Sequence, residues 1–114
     1  LYEVTLRAQK TAIAAVKSGA ELSAVDAAAR DVIADAGFGE YFSHALGHSV
    51  GIEIHENPCF SPRSNGDAER GNVITVEPGI YIEGFGGVRI EDLVAVTDEG
   101  CEILSKSSKE LIIL

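Results

Sequence analysis

The stretch that decides the fold of this chain is Val73-Ile-Thr-Val-Glu-Pro-Gly-Ile-Tyr-Ile-Glu-Gly-Phe-Gly-Gly-Val-Arg-Ile-Glu-Asp-Leu-Val-Ala-Val96. Short apolar runs rich in valine and isoleucine are separated by Pro-Gly and by a glycine-rich segment, which is the pattern of strands joined by turns. Two carboxylates interrupt this apolar pattern, Glu77 and Glu91. The pattern predicts three strands, at residues 73–77, 80–82 and 88–96, the last being the longest.

Upstream of this stretch the sequence predicts two helices. Apolar side chains recur at helical spacing in residues 1–17, and Gly19 is the predicted stop. A second helical pattern follows Ser23, which we interpret as a capping box with Asp26, and it ends at Gly37. Because the helices come first and the strands follow, we predict an α+β domain with helices on one face of a mostly antiparallel sheet.

The remaining segments complete the expected fold. Residues 42–56 predict one strand or two, bent at glycine. The prolines and glycine between Pro58 and Gly66 predict a long loop. A further strand is expected at residues 101–104, and the apolar tail at residues 111–114 is expected to pack against the domain.

Composition bounds the function. The chain has 114 residues, 46% of them hydrophobic, which suits one domain with a core. Its 9 basic and 18 acidic side chains give a net charge of −9, so nucleic acid and anionic membranes are expected to be repelled. We find no membrane-length apolar run and no signal-peptide pattern. Cys59 and Cys101 are expected to be free thiols of a cytoplasmic protein.

The chain contains no methionine and begins within a helical pattern. We therefore expect it to be a piece of a longer polypeptide, called the parent protein below.

All three histidines lie in one short segment, His44-Ala-Leu-Gly-His48-Ser-Val-Gly-Ile-Glu-Ile-His55. They could be satisfied polar or surface side chains, or they could form part of a site. The spacing of His44 and His48 resembles a helical metal pair, but Gly47 and Gly51 argue against a helix. The glycines favour a bulge or a close backbone approach instead.

Glu77 and Glu91 are the second candidate group. A carboxylate within an apolar strand needs a cation, a metal or solvent, because burying a bare charge is costly. For Glu91 a solvated outer face of the sheet remains open: Arg89 would share that face, although apolar residues follow on it. Imidazole and carboxylate ligands together suit Mn, Co, Fe or Zn. Two such ions, about 3.5–4 Å apart, would activate a bridging water for hydrolysis.

Three blocks of the chain resemble the pita-bread metallopeptidases in order and interval. The histidine block, continued by Ile54-His-Glu-Asn-Pro58, resembles that family's histidine segment, and the blocks around Glu77 and Glu91 resemble its two glutamate strands. Methionine aminopeptidases carry a glutamine-aromatic-Glu-His sequence in the last block. Here it reads Arg-Ile-Glu-Asp, which is similar to the branch of Xaa-Pro aminopeptidases and Xaa-Pro dipeptidases, or prolidases.

The resemblance implies roles for individual residues. His48 and Glu77 would bind one metal ion, Glu91 would bridge two ions, and Glu77 could also pass a proton. The other catalytic residues implied are His44 and His55, which would border the substrate, and Arg89, which would orient carboxylates or a substrate terminus. Pairing of Arg89 with Asp92 or Glu77 is the structural alternative.

The resemblance also implies what the whole protein does. Residues 1–114 would form the C-terminal part of the catalytic domain, half of a pita-bread (creatinase/aminopeptidase-like) fold with two helices on a curved sheet. The upstream aspartate hairpin and the N-terminal domain would be absent. The parent would use two divalent ions, Mn first and Co, Zn or Fe as alternatives, to hydrolyse the peptide bond preceding proline, and could pair as a homodimer.

Because the aspartate ligands would be missing, we expect this chain alone to bind metal weakly or not at all and to be inactive. A non-catalytic peptide- or protein-binding module, or a metal-free hydrolase of small amidines, are the alternative functions.

Overall fold

The computed structural model describes residues 1–51 and 56–113, and its helices precede its strands. The helices are α1 (Tyr2–Ala15) and α2 (Leu22–Asp35), followed by a short 3₁₀ helix at Gly39–Tyr41. The strands are β1 (Gly47–Ser49), β2 (Glu56–Phe60), β3 (Val73–Val76), β4 (Gly79–Ile82), β5 (Gly86–Arg89), β6 (Asp92–Val96) and β7 (Cys101–Ile103). No helix in the described part of the chain is long and apolar enough to cross a membrane.

The described strands pair only in antiparallel fashion. The larger sheet has the strand order β2-β1-β3-β6-β7, and β4 and β5 form a separate hairpin. In the centre of the larger sheet, β3 pairs with β6 from Val73 opposite Ala95 to Val76 opposite Asp92. The predicted α+β class, with two helices and a mostly antiparallel sheet, is confirmed.

The core lies where the two helices pack on each other and on the sheet. The predicted apolar faces supply Ala8 and Ala12 from α1 and Ala29 and Ile33 from α2, all fully buried. The helices also bury three polar residues that the apolar periodicity did not indicate: Thr5, Gln9 and Asp26. Each of the three forms a hydrogen bond, as buried polar groups require.

The capping box predicted at the start of α2 is wrong. The helix begins at Leu22, its N-cap residue is Glu21, and no side chain caps it. Asp26 is instead 1% exposed and accepts hydrogen bonds from Arg30 and from the backbone of Leu46. Tertiary partners therefore occupy the carboxylate that the sequence pattern assigned to the helix terminus.

Two strand predictions are corrected. Pro58 lies inside β2 and not in a loop; β2 is an edge strand, where a residue without a backbone N–H is tolerated. The single strand predicted at residues 88–96 is two strands in different sheets, because β5 pairs with β4 and β6 pairs with β3. Glu91 lies in the break between them.

The tail does not pack as predicted. Leu111, Ile112 and Ile113 are exposed, Ile113 to 88%, and Leu114 lies outside the described residues. The chain is attached just before this point, where the Tyr2 hydroxyl donates to the Lys109 carbonyl and Lys109 Nζ lies 2.8 Å from Asp92 Oδ1. The tail is apolar, but its described residues, up to Ile113, pair with no strand after that attachment.

Cys59 and Cys101 are not in a disulfide, as predicted. Burial raises the pKa of Cys101, whose thiol lies 3.8 Å from the Ile13 carbonyl oxygen. A raised pKa leaves less thiolate at any given pH, and the thiolate is the nucleophile. We therefore expect iodoacetamide to label Cys101 more slowly at neutral pH in the folded chain than in urea, with the rate rising at higher pH. Equal rates in both states, measured by peptide mass spectrometry, would contradict this.

Candidate metal centre

Three segments of the fold bring the predicted metal ligands together. His48 is the middle residue of β1, Glu77 directly follows β3, and Glu91 lies in the break between β5 and β6. His48 Nε2 lies 3.4 Å from Glu77 Oε2. Glu77 lies close enough to Glu91 for its negative charge to raise the pKa of Glu91. The contact between His48 and Glu77, with Glu91 nearby, is the candidate centre.

Local hydrogen bonds orient the His48 imidazole. The His48 backbone N–H donates to Thr75 Oγ1 at 2.9 Å, and its Nδ1 lies 3.1 Å from the Ser49 carbonyl oxygen. A carbonyl can only accept, so Nδ1 carries the proton and Nε2 is the acceptor nitrogen in the neutral ring. Two acceptors, Nε2 and the Glu77 carboxylate, thus face each other and require a proton or a cation between them.

A glycine allows β1 and β3 to approach closely beside the site. A Cβ atom at Gly47 would lie 1.7 Å from the Thr75 carbonyl oxygen, so no other residue fits there without displacement of the backbone. The adjacent Leu46 carbonyl accepts a hydrogen bond from the Glu77 backbone N–H at 2.8 Å. The segment that carries His48 is therefore fixed directly against the residue that carries the first carboxylate.

The two carboxyl groups are electrostatically unfavourable neighbours. The pKa of Glu91 is raised, first by burial and then by the negative charge of Glu77, while Arg89 and His48 act in the opposite direction. The Glu91 side chain is nevertheless 46% exposed. Glu91 is therefore both in contact with solvent, as expected for the outer face of a sheet, and a neighbour of Glu77.

The candidate centre fits a divalent cation in its donor chemistry. It offers one imidazole nitrogen and carboxylate oxygens, which suit Zn, Mn, Co and Fe. The separation of 3.4 Å between His48 Nε2 and Glu77 Oε2 is close to the roughly 3.3 Å between neighbouring ligands of a tetrahedral ion with bonds near 2.0 Å. Across residues 1–51 and 56–113, no group of three or more His, Cys, Asp or Glu side chains is arranged so that it could hold a metal ion.

His44 borders the candidate centre through Tyr81. His44 Nδ1 lies 2.7 Å from the Ala45 carbonyl oxygen and therefore donates, so Nε2 accepts from the Tyr81 hydroxyl at 2.8 Å. The pKa of Arg89 is raised, first by its interaction with the same hydroxyl. Arg89 Nε also lies 4.0 Å from Glu91 Oε2. Tyr81 thus interacts with two predicted catalytic residues, His44 and Arg89, although the sequence pattern predicted no role for it.

Glycines on the β4–β5 hairpin make room for the Tyr81 ring. A Cβ atom at Gly79 would lie 2.4 Å from the Tyr81 hydroxyl oxygen, and one at Gly87 would lie 2.8 Å from its ring. Tyr81 is paired with Gly87 across the hairpin. An aromatic residue opposite a glycine is a known packing arrangement in sheets, and it is the sequence signal that could have identified Tyr81.

The alternative pairing of Arg89 with Asp92 is not observed. Asp92 is buried, and its Oδ2 accepts a hydrogen bond from Gln9 Nε2 at 2.7 Å. Its Oδ1 lies 2.8 Å from Lys109 Nζ in an ion pair, but accepts no regular hydrogen bond. The predicted catalytic residue His55 lies outside the described residues.

Comparison with known proteins also indicates a peptidase. The model of metallopeptidase family M24 matches residues 1–98. The Xaa-Pro dipeptidase of Pyrococcus horikoshii is 48% identical over 112 residues, covering 98% of this chain and 32% of that protein. The solved Xaa-Pro dipeptidase from Bacillus anthracis is 51% identical with a TM-score of 0.97, covering 99% of this chain and 32% of that one. The solved X-Pro aminopeptidase from Thermotoga maritima is 40% identical with a TM-score of 0.96, covering 99% of this chain and 32% of that one.

The fold and the candidate centre define a class, the pita-bread peptidases, and the expected resemblance to that class is confirmed. More specifically, the chain belongs to metallopeptidase family M24. It spans about 32% of the length of the relatives named above.

Proposed function

We propose that this chain is the C-terminal part of the catalytic domain of a dinuclear metallopeptidase that hydrolyses the peptide bond preceding proline. The observation that carries the proposal is the contact between His48 and Glu77, which come from separate segments, with Glu91 close enough for the charge of Glu77 to raise its pKa. The Xaa-Pro dipeptidases and the X-Pro aminopeptidase among the relatives support the reaction.

In this proposal His48 and Glu77 would hold one ion, and Glu91 would be shared between it and a second. The ions, when bound, supply an activated hydroxide and polarise the scissile carbonyl. Further ligands come from the part of the parent that precedes this chain, where the resemblance implies a pair of aspartates. Manganese is the proposed ion, with cobalt, zinc or iron as alternatives.

The residues of this chain then act around the substrate. Glu77 accepts the proton of the attacking water at its carboxylate and passes it on. His44, fixed by Ala45 and Tyr81, forms the edge of the substrate site, and His55 is proposed to act beside it. Arg89, held by Tyr81, orients Glu91 or a substrate terminus.

The proposed partner is a peptide with proline after the scissile bond, and not nucleic acid or a membrane surface. The acidic balance of the chain, −9, disfavours polyanionic partners. A homodimer and a cytoplasmic location complete the proposal. Two cysteines that form no disulfide are in keeping with a reducing compartment.

The deciding experiment uses the parent protein. It is assayed on an Xaa-Pro dipeptide and on an Xaa-Pro-Xaa tripeptide, each with and without a chelator. We expect cleavage before proline that the chelator abolishes, and the preferred length separates dipeptidase from aminopeptidase. Peptide binding without cleavage would mean the non-catalytic binding module instead, and chelator-insensitive cleavage would contradict the metal mechanism.

The 114-residue chain alone is expected to bind at most one divalent ion, and weakly. Three ligands cannot offset the repulsion between two divalent cations about 3.5–4 Å apart. Titration with Mn²⁺ and with Co²⁺ by calorimetry measures this, and His48→Ala is expected to remove the remaining binding. Two tight sites in the unmodified chain would contradict the prediction.

A further inference from the structure

We propose that the buried ion pair between Asp26 and Arg30 on α2 is a positioning device for the candidate centre. It holds residues 42–46, called here the presenting loop, and through this loop it sets His44 and Glu77. Its importance for catalysis depends on the function proposed above, whereas its effect on the loop does not.

The ion pair is bidentate and faces the interior. Arg30 Nε lies 2.8 Å from Asp26 Oδ1, and Arg30 Nη2 lies 3.1 Å from Oδ2. The Asp26 side chain is 1% exposed and the Arg30 side chain 28%. A buried pair is weak evidence for a purely stabilising role, since apolar residues of similar volume often stabilise as well. Its remaining contacts therefore indicate its purpose.

The Arg30 guanidinium also holds the start of the presenting loop. Nη1 donates to the Phe42 carbonyl at 3.0 Å, and Nη2 donates to the His44 carbonyl at 2.9 Å. The guanidinium lies over the Phe42 ring at 4.1 Å, and the His44 ring packs edge-on against that same ring at 5.2 Å. One arginine thus fixes the backbone of His44 and the aromatic surface against which its imidazole rests.

The Asp26 carboxylate holds the other end of the loop. Oδ2 accepts a hydrogen bond from the Leu46 backbone N–H at 3.0 Å, and the Leu46 carbonyl in turn accepts from the Glu77 backbone N–H at 2.8 Å. Leu46 is fully buried and lies midway in sequence between His44 and His48. A continuous hydrogen-bonded path therefore runs from α2 through Leu46 to the first carboxylate of the candidate centre.

Arginine suits this position for a geometric reason. Its planar fork presents several donors at once, here to both carboxylate oxygens and to two backbone carbonyls. Lysine keeps the charge but offers one compact ammonium group. Arg30→Lys therefore removes the positioning contacts while the carboxylate of Asp26 retains a cation.

The test is an NMR experiment on the 114-residue chain. It measures amide hydrogen exchange at Leu46 and Glu77, and the tautomer of His44 by long-range proton–nitrogen correlation. Arg70→Lys is the matched control, because Arg70 forms an exposed pair with Asp98. Ile33→Val is the stability control: Ile33 is buried on the same helix but lies outside the ion pair.

In the Arg30→Lys variant we expect exchange at Leu46 and Glu77 to accelerate by at least about tenfold relative to the amides of α1, since hydrogen bonds to charged groups contribute at this level. We also expect His44 to lose its single Nδ1–H tautomer. Neither change is expected in the two controls. Wild-type exchange and tautomer in Arg30→Lys, or the same changes in Ile33→Val, would overturn the proposal.

Asp26→Asn provides a second route if Arg30→Lys does not fold. An amide cannot accept from both Arg30 and Leu46 without presenting an N–H₂ group to one of them. Leu46 exchange is expected to accelerate again, and unchanged exchange would overturn the proposal.

In the parent protein, Arg30→Lys is expected to lower kcat roughly tenfold or more with a smaller change in KM, because substrate contacts remain while catalytic groups move. Arg70→Lys is expected to match wild type. If the wild-type parent lacks peptidase activity, the proposed function fails and the NMR result still decides the positioning role.

Discussion

Glu77→Gln in the parent protein is expected to lower kcat/KM for an Xaa-Pro substrate by about 10²–10⁴-fold, the range that general acid–base catalysis alone contributes. Glu77 is the central member of the candidate centre: its Oε2 lies 3.4 Å from His48 Nε2, and its negative charge raises the pKa of Glu91. Glutamine keeps the volume but removes the charge that a cation requires and the site that accepts a proton. The loss should therefore appear in both activity and bound metal.

Glu102→Gln is the matched control for this experiment. Glu102 lies on the last strand, β7, and is exposed, so the same chemical change occurs away from the candidate centre. Metal content after dialysis and steady-state kinetics are measured for both variants. Full activity and full metal content in Glu77→Gln would show that Glu77 is neither a ligand nor a proton acceptor.

Folding of the Glu77→Gln chain is a separate measurement, and it is expected to change little. Without a cation, two neighbouring carboxyl groups in the cluster repel each other, which is one cause of the raised pKa of Glu91. Removing one of the charges relieves that repulsion. Thermal unfolding close to that of wild type would therefore assign the lost activity to the site and not to the fold.

The parts of the fold that sequence could predict are those set by local pattern. Ala8, Ala12, Ala29 and Ile33 follow helical spacing and are buried as expected. The strand at residues 73–77 is an apolar β-branched run and forms β3. In these segments each side chain's environment is decided by its position on one element.

The predictions from sequence are wrong where a partner distant in sequence decides the local structure. Asp26 reads as a helix-capping residue, but Leu46, 20 residues away, is its partner. Residues 88–96 read as one strand, but their partners β4 and β3 belong to different sheets. Periodicity describes one element at a time and does not include such partners.

In the candidate centre too, some residues could be identified from sequence and others could not. His48, Glu77 and Glu91 could be selected because a histidine among glycines and carboxylates in apolar strands are unusual residue types for their positions. Tyr81 could not be selected in this way, because an aromatic residue in a strand is ordinary. Its role depends on His44, 37 residues away, and on the space left by the glycines beneath its ring.

Gly47→Ala is expected to produce the largest loss of stability, at least about 3 kcal/mol, the upper end of the range for overpacking. Its added Cβ atom would lie 1.7 Å from the carbonyl oxygen of Thr75, 2.6 Å from the carbonyl carbon and 2.9 Å from Oγ1. Two of these atoms belong to the backbone of β3, which cannot rotate away as a side chain can. The pairing of β1 with β3 must therefore open.

The φ angle of Gly47 is not in the left-handed region, so its backbone conformation itself accepts alanine and the whole cost is steric. Gly100→Ala is the matched control, because a Cβ atom there meets no atom within 4 Å and its φ angle is also ordinary. Urea unfolding of both variants measures the difference. A Gly47→Ala chain as stable as Gly100→Ala would mean that β1 and β3 do not approach as described.

The same substitution should separate the site from the global fold. The His48 backbone N–H donates to Thr75 Oγ1, one of the atoms that the new methyl group would displace. If the chain relaxes by moving β1 outward, His48 moves away from Glu77 even where most of the core survives. Under conditions in which both variants remain folded, we therefore expect Gly47→Ala to lose Mn²⁺ binding and Gly100→Ala to retain whatever binding the wild-type chain has. Retained binding in a destabilised Gly47→Ala chain would show that the position of His48 does not depend on this close approach of the two strands.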